Sequence, residues 1–260
     1  ELGFDAVEFI DLKPSDNPSY MEQSDYAHKI REAADQLGIK INAYTIGANM
    51  FQPDKLAASA EVSRLCAQVD IAAILGAKIM RHDVCYKLGK TKDSRSFDLM
   101  LPNIVQNIRS VTEYAEKVGI KICVENHGYI AQDSDRMERL FNSVNHENFG
   151  LLVDIGNFVC VDENPVTAVS RVAPYAIHVH IKDMILSSGS SHDPGTSTTR
   201  GCNYYRGTIV GQGSVPVKQC INILKRAGYN GDYTIEFEGA EDCIHGISKG
   251  FENLKKYMKD

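Results

Sequence analysis

Four short stretches of this sequence carry side chains that could do chemistry together. Ala176-Ile177-His178-Val179-His180-Ile181-Lys182-Asp183 alternates apolar and polar residues with the period of a β-strand, so His178, His180 and Lys182 share one face and three aliphatics share the other. In Lys121-Ile122-Cys123-Val124-Glu125-Asn126-His127 the same spacing puts Cys123, Glu125 and His127 on one side. Leu151-Leu152-Val153 leads into Asp154, and in Tyr233-Thr234-Ile235-Glu236-Phe237-Glu238 the two glutamates face away from Ile235 and Phe237. Brought into one place, the carboxylates of Glu125, Asp154 and Glu236 would repel one another and raise each other's pKa unless a cation neutralised them. With the imidazole of His180 they form a hard-to-borderline ligand set, suited to one divalent ion such as Mn²⁺, Mg²⁺ or Zn²⁺. Four protein ligands on an ion that accepts five or six leave room for a substrate, which points to catalysis rather than scaffolding.

The elements needed to gather these residues are also legible. A helix end, a glycine and then a strand recur at Gly3, Gly38, Gly76, Gly119 and Gly228, each glycine suiting the left-handed position that ends a helix. The interval between Gly119 and Gly228 has room for three units and holds two more strands, 150–155 and 176–182. Amphipathic helices fill the gaps, with apolar stripes at Ala27, Ile30, Ala34 and Leu37 and at Leu101, Ile104, Ile108, Val111, Ala115 and Val118. Strands alternating with helices of this length predict parallel βαβ units in an α/β fold. Seven strands preceded by a helix end predict a single-domain (β/α)8 TIM barrel over residues 1–260 whose first strand is missing from this chain; an open doubly wound sheet is the alternative. A barrel brings the carboxyl ends of its strands into a ring, so Glu125, Asp154, His180 and Glu236 would converge from successive strands. The stretch from Met184 to Val210 is the one long irregular segment, a surface insertion or a lid in which Tyr204, Tyr205 and Arg206 argue for order. The Gly211-Gln212-Gly213 that follows predicts a tight turn rather than a phosphate loop.

Composition narrows the class. A chain of 260 residues with 43% hydrophobic content can build a large core without staples. The net charge of −6 and pI near 5.8 provide no basic field for nucleic acid or an anionic membrane. No apolar run reaches bilayer length and no signal peptide is visible. Seven scattered cysteines without a CxxC pair predict reduced thiols and a cytoplasmic location.

The sequence resembles the xylose isomerase-like TIM-barrel superfamily, which includes sugar and sugar-phosphate isomerases and epimerases, inosose dehydratase and zinc AP endonucleases. The likeness runs over nearly the whole chain and rests on Glu125-Asn126-His127, Asp154-Ile155-Gly156-Asn157, His178-Val179-His180-Ile181-Lys182-Asp183, Gly211-Gln212-Gly213-Ser214-Val215-Pro216 and Ile235-Glu236. It implies a divalent metal on Glu125, Asp154, His180 and Glu236, with Glu125 and Glu236 also acting as acid and base. The implied reaction is proton transfer next to the carbonyl of a carbohydrate substrate, giving isomerisation or epimerisation through an enediolate. His127, Asn157, His178, Lys182, Asp183 and Arg206 are the expected substrate contacts. Arg81-His82-Asp83 also ends a strand, with the inward side chain left open. The rival implied chemistry is dehydration of an inosose or keto-sugar, which begins with the same proton abstraction. The superfamily's AP endonucleases carry a histidine where Asn157 stands, and the acidic charge balance suits DNA poorly; its free-sugar ketose 3-epimerases carry that histidine too, a departure that counts against their substrate. A non-catalytic sugar-binding barrel would have little reason to keep three acids at strand ends. Expected partners are thus a small carbohydrate, neither nucleic acid nor membrane, with self-association left open.

Overall fold

The computed structural model describes residues 2–92, 94–187 and 195–259, so Ser188 to Ser191 of the long segment lie outside the described residues. The chain divides into two compact units, residues 1–125 with 140–150, and residues 126–139 with 151–260.

The first unit is a run of βα repeats: β1 (Ala6–Ile10), α1 (Tyr20–Leu37), β2 (Lys40–Ile46), α2 (Lys55–Leu75), β3 (Ile79–His82), α3 (Phe97–Lys117) and β4 (Lys121–Glu125). Local chemistry sets the helix bounds. Ser19 accepts the N–H of Glu22 while Glu22 returns a bond to the Ser19 backbone, a capping box that starts α1. Asp54 and Ser96 cap α2 and α3 with their side chains alone, accepting the N–H groups of Ala57 and Leu99. At the other ends Gly38 (φ 66°) and Gly76 (φ 76°) turn the chain out of the helix in a conformation that side chains resist. The strands pair in parallel, with Tyr44 opposite Met80 and Arg81 opposite Cys123. That register holds the ends of β3 and β4 level. On α3 the expected stripe is buried at Ile104, Ile108, Val111 and Ala115, but its last residue, Val118, is 41% exposed; Leu37 on α1 is 75% exposed. Both sit where the helix unwinds into its cap, past the turn that packs.

α4 (Ser134–Val144) and β5 (Phe149–Asp154) each straddle the division between units. In the second unit β5 pairs in parallel with β6 (Ala176–Ile181), Leu152 opposite His178 and Asp154 opposite His180. A 3-10 turn over Asn157–Val161 and α5 (Pro165–Val172) connect them. The segment expected to be irregular is in part an antiparallel sheet of β7 (Asp183–Ser187), β8 (Ser197–Thr198) and β9 (Tyr204–Thr208), in the order β7-β9-β8. Then come α6 (Val217–Arg226), β10 (Tyr233–Ile235), which pairs with β6 through Thr234 and His180, and α7 (Cys243–Lys259). β1 to β6 and β10 are the seven strands expected from the sequence, each within one residue at its start; β2 runs two residues further than expected, to Ile46, and the others end one to three residues earlier. No described helix is long and apolar enough to cross a membrane.

Candidate metal centre and adjoining cavity

In the second unit three of the expected ligands meet at the carboxyl ends of adjacent strands. Asp154 is the last residue of β5, His180 lies opposite it near the end of β6, and Glu236 directly follows β10. One ligand atom of each lies within 4.8 Å of the others, with Asp154 fully buried and His180 only 3% exposed. Asp154 is held on three sides. Its Oδ1 accepts the N–H groups of Gly156 (2.7 Å) and Asn157 (3.0 Å), and Asn126 clamps its backbone through a reciprocal pair of 2.9 Å bonds. Gly156 is required here, since a Cβ would meet the Lys182 carbonyl oxygen at 2.7 Å.

Charge at this centre is arranged for a cation. Lys182 Nζ lies 2.8 Å from Glu236, 3.2 Å from Glu238 and 3.4 Å from Asp154 Oδ2, while Nδ1 of His180 lies 3.2 Å from Glu236. Burial disfavours ionised Glu236, but the Lys182 ammonium and the His180 hydrogen bond outweigh it and hold the carboxyl well below its usual range. Two carboxylates and an imidazole, buried together around an ammonium, form a donor set that fits a divalent ion of the hard-to-borderline kind.

The first unit places Glu125 at the end of β4, 4% exposed. Arg81 Nη2 reaches it at 2.6 Å and reaches Asp83 at 2.7 Å, and Asp83 also accepts the Tyr86 hydroxyl at 2.7 Å. This answers which side chain of Arg81-His82-Asp83 serves the acid. His82 is fully buried, its Nδ1 donates to the Asp83 carbonyl, and burial pushes its pKa down to about 4.

Beside the centre in the second unit lies a cavity of about 390 Å³, lined among others by His127, Tyr129, Asn157, Lys182, Tyr205 and Glu238. Of the expected substrate contacts, His127, Asn157 and Lys182 therefore reach it, and the other three do not. Asp183 instead accepts the N–H groups of Met184, Gly211, Gly213 and Val215 at 2.8 to 3.1 Å, which ties down the Gly211-Gln212-Gly213 turn. A Cβ on Gly213 would meet that carboxylate at 2.1 Å. Arg206 lies between Tyr205 and Gly207, both cavity residues, so the alternation of β9 turns it to the other face. His178 sits one layer below His180, in edge contact with its ring (5.4 Å between centroids) and 3.4 Å from the Thr234 hydroxyl.

Tyr129 and Gln132 were not legible as site residues. Tyr129 adopts the left-handed conformation (φ 65°), unfavourable for a bulky side chain by about 1–2 kcal/mol. Its N–H donates to Gln132 Oε1, its carbonyl accepts from Arg200, and its hydroxyl reaches Thr198 O (2.8 Å) and the Tyr205 hydroxyl (3.1 Å). The only local signal is the preceding Gly128, which shares the positive φ.

Repeating βα units and a buried acid–imidazole centre at strand ends define an α/β enzyme-like barrel class. Residues 1–257 match the model of the xylose isomerase-like TIM barrel, and the chain belongs to that family. It is 22% identical over 271 residues to a putative L-ribulose-5-phosphate 3-epimerase, UlaE, of Shigella dysenteriae, covering 99% of this chain and 86% of that protein. It is 25% identical over 137 residues to the inosose dehydratase of Lacticaseibacillus casei, covering 52% of this chain and 46% of that protein. A xylose isomerase-like TIM barrel protein of Mycobacterium smegmatis, solved in complex with magnesium, shares the fold with a TM-score of 0.72 at 19% identity, covering 99% of this chain and 84% of that one.

Proposed function

We propose that this protein is a divalent-metal-dependent epimerase or isomerase of a keto-sugar or its phosphate, moving a proton on the carbon next to the carbonyl. The observation that carries the proposal is the convergence of Asp154, His180 and Glu236 beside a cavity large enough for a small molecule. In this reading Glu125 completes the ligand set with those three. A divalent ion on these residues would supply Lewis acidity to the carbonyl oxygen and to the negative charge that develops there. Glu236, held ionised by Lys182 and His180, accepts the proton from carbon. Glu125, entering the cycle in its acid form, delivers its proton to the opposite face of the same carbon for epimerisation or to the neighbouring carbon for isomerisation, and both acids exchange protons with solvent before the next turnover. Asn126 and the amides of Gly156 and Asn157 keep Asp154 fixed, so its Oδ2, 3.4 Å from Lys182 Nζ, is aimed before substrate arrives.

A dehydratase reading has one specific support, the ammonium of Lys182 in the cavity wall, which could protonate a leaving hydroxyl after the same proton abstraction. One experiment separates the two. The purified protein is assayed for metal by plasma mass spectrometry, then incubated with Mn²⁺ and a panel of ketoses and inososes in deuterated water and followed by NMR. A single bound metal with solvent deuterium in an isomeric product supports the epimerase. Loss of water to an enone or diketone supports the dehydratase. No metal and no exchange would sink both.

A further inference from the structure

We propose that Arg200 and Asp162 are positioning residues, which lock the turn between β8 and β9 onto the loop 126–133 so that the hydroxyls of Tyr129 and Tyr205 form one fixed acceptor for a hydroxyl group of the substrate. The inference rests on the catalytic reading above and adds a specificity contact to it. It starts from backbone strain. Among the described residues five other than glycine have positive φ, and three of them, Tyr129 (65°), Asp162 (59°) and Cys202 (67°), lie in one joint of the second unit. An aspartate tolerates that conformation; a tyrosine keeps it only where its surroundings over-determine it, and such places gather at ligand clamps.

The surroundings here are explicit. Asp162, just after the 3-10 turn, accepts the Thr199 hydroxyl (2.7 Å), the Asn203 amide (2.8 Å) and the Gly201 N–H, so one carboxylate closes the turn from 199 to 203. Within that turn the Arg200 N–H donates to the Cys160 carbonyl at 2.8 Å. The Arg200 side chain then crosses to the other loop, where its guanidinium holds Asp133 at 2.8 Å and the Tyr129 carbonyl. Tyr129 is thereby fixed at its carbonyl by Arg200, at its N–H by Gln132 and at its hydroxyl by the Thr198 carbonyl (2.8 Å).

The direction of the hydrogen bonds gives the chemistry. A carbonyl only accepts, so the single phenolic proton of Tyr129 goes to Thr198. The 3.1 Å contact between the two phenols then takes the proton of Tyr205. Burial and this contact raise the Tyr205 pKa far above its ordinary value of 10, so the phenol keeps its proton and the chain its direction. The Cys160 thiol beside Tyr205, raised to about 11 by burial, is neutral and only a weak rival for that proton. Both residues line the cavity, and with both protons committed the pair has lone pairs to offer and no donor. A sugar hydroxyl, which donates, satisfies it; a ketone or ether oxygen does not.

The test reads binding of ribulose, xylulose and fructose, each free and as its phosphate ester, to the Mn²⁺-loaded protein by calorimetry. Mn²⁺ affinity and the deuterium-exchange rate at saturating ketose are measured alongside. Arg200→Met and Asp162→Asn should each weaken ketose binding by about five- to tenfold, the loss of one well-placed hydrogen bond. Mn²⁺ affinity and the saturated rate should change far less. Tyr129→Phe combined with Tyr205→Phe should lose at least as much affinity, and adding Arg200→Met to that pair should cost nothing further, because Arg200 acts through them. Replacing the hydroxyls of the tightest ligand one at a time by fluorine, which cannot donate, should reproduce the loss at one position in the wild type and add nothing in the paired tyrosine variant. Unchanged ketose affinity in Arg200→Met or in the paired variant, additive losses, or equal falls in Mn²⁺ affinity and saturated rate overturns the inference and leaves the proton-transfer chemistry standing. No ketose bound and no exchange in the wild type overturns it together with the function it rests on.

Discussion

Glu236 and Lys182 carry the most specific consequences at the level of single residues. If Glu236 is the base, Glu236→Gln keeps the shape of the site but removes proton acceptance, and turnover should fall by about 10²- to 10⁴-fold. Ketose affinity, read by calorimetry on the metal-loaded variant, should change far less than turnover; equal losses in both would assign Glu236 to binding alone. Lys182 makes the opposite kind of prediction. In the metal-free protein its ammonium is the counter-charge for Asp154 and Glu236, and its side chain is 4% exposed. Lys182→Met leaves those carboxylates facing each other in a buried place, a loss of about 3 kcal/mol for a broken buried pair. A divalent ion replaces the missing charge, so Mn²⁺ should raise the melting temperature of Lys182→Met more than that of the wild type. Equal shifts would show that ammonium and metal do not share the same carboxylates.

At the scale of elements, the turn after β9 is held by one side chain. Four backbone N–H groups converge on Asp183, and burial nevertheless keeps its pKa raised. Asp183→Ala orphans several donors at once and should cost about 2–3 kcal/mol, with limited proteolysis appearing first near Gly211. Unchanged urea stability and protease resistance would show that the turn holds itself. The same region marks the limit of what the sequence discloses. Strands β1 to β6 and β10 were legible because hydrophobic alternation and the glycine caps at Gly38 and Gly76 are local signals. β7, β8 and β9 were not, because Ser197-Thr198 is two residues long and Tyr204 to Thr208 has no apolar period; only pairing with distant Asp183 to Ser187 makes them strands. The site divides along the same line. Asp154, His180 and Glu236 announce themselves at strand ends, whereas Arg81 beside Glu125, Arg200 beneath Tyr129 and the role of Asp183 are long-range pairings. For Arg206 the alternation of β9 decides its face, and that could be read only once the strand was known.

For the molecule as a whole, the response to acid separates two titrations by their sign and window. Glu236 has its folded pKa depressed, so its contribution is present above its unfolded pKa near 4.5 and is lost as pH falls through the lower folded value. His82 acts earlier. It is buried and neutral, with a folded pKa of about 4 against 6.5 when exposed. Between those values the unfolded chain binds a proton that the folded chain refuses, so stability is complete above about pH 6.5 and declines as the pH drops toward 4. Over the interval from pH 7.5 to pH 5 this single imidazole should remove about 2 kcal/mol of folding free energy. Few carboxylates have begun to protonate there, which makes the interval diagnostic. Urea unfolding at pH 7.5, 6 and 5 should show this loss in the wild type, and His82→Gln, which has nothing to titrate, should be less stable at pH 7.5 but flatter by that same amount. Parallel pH profiles for the two proteins would mean that His82 is protonated or solvated in the folded chain, and that the acid sensitivity of the molecule arises at its other histidines.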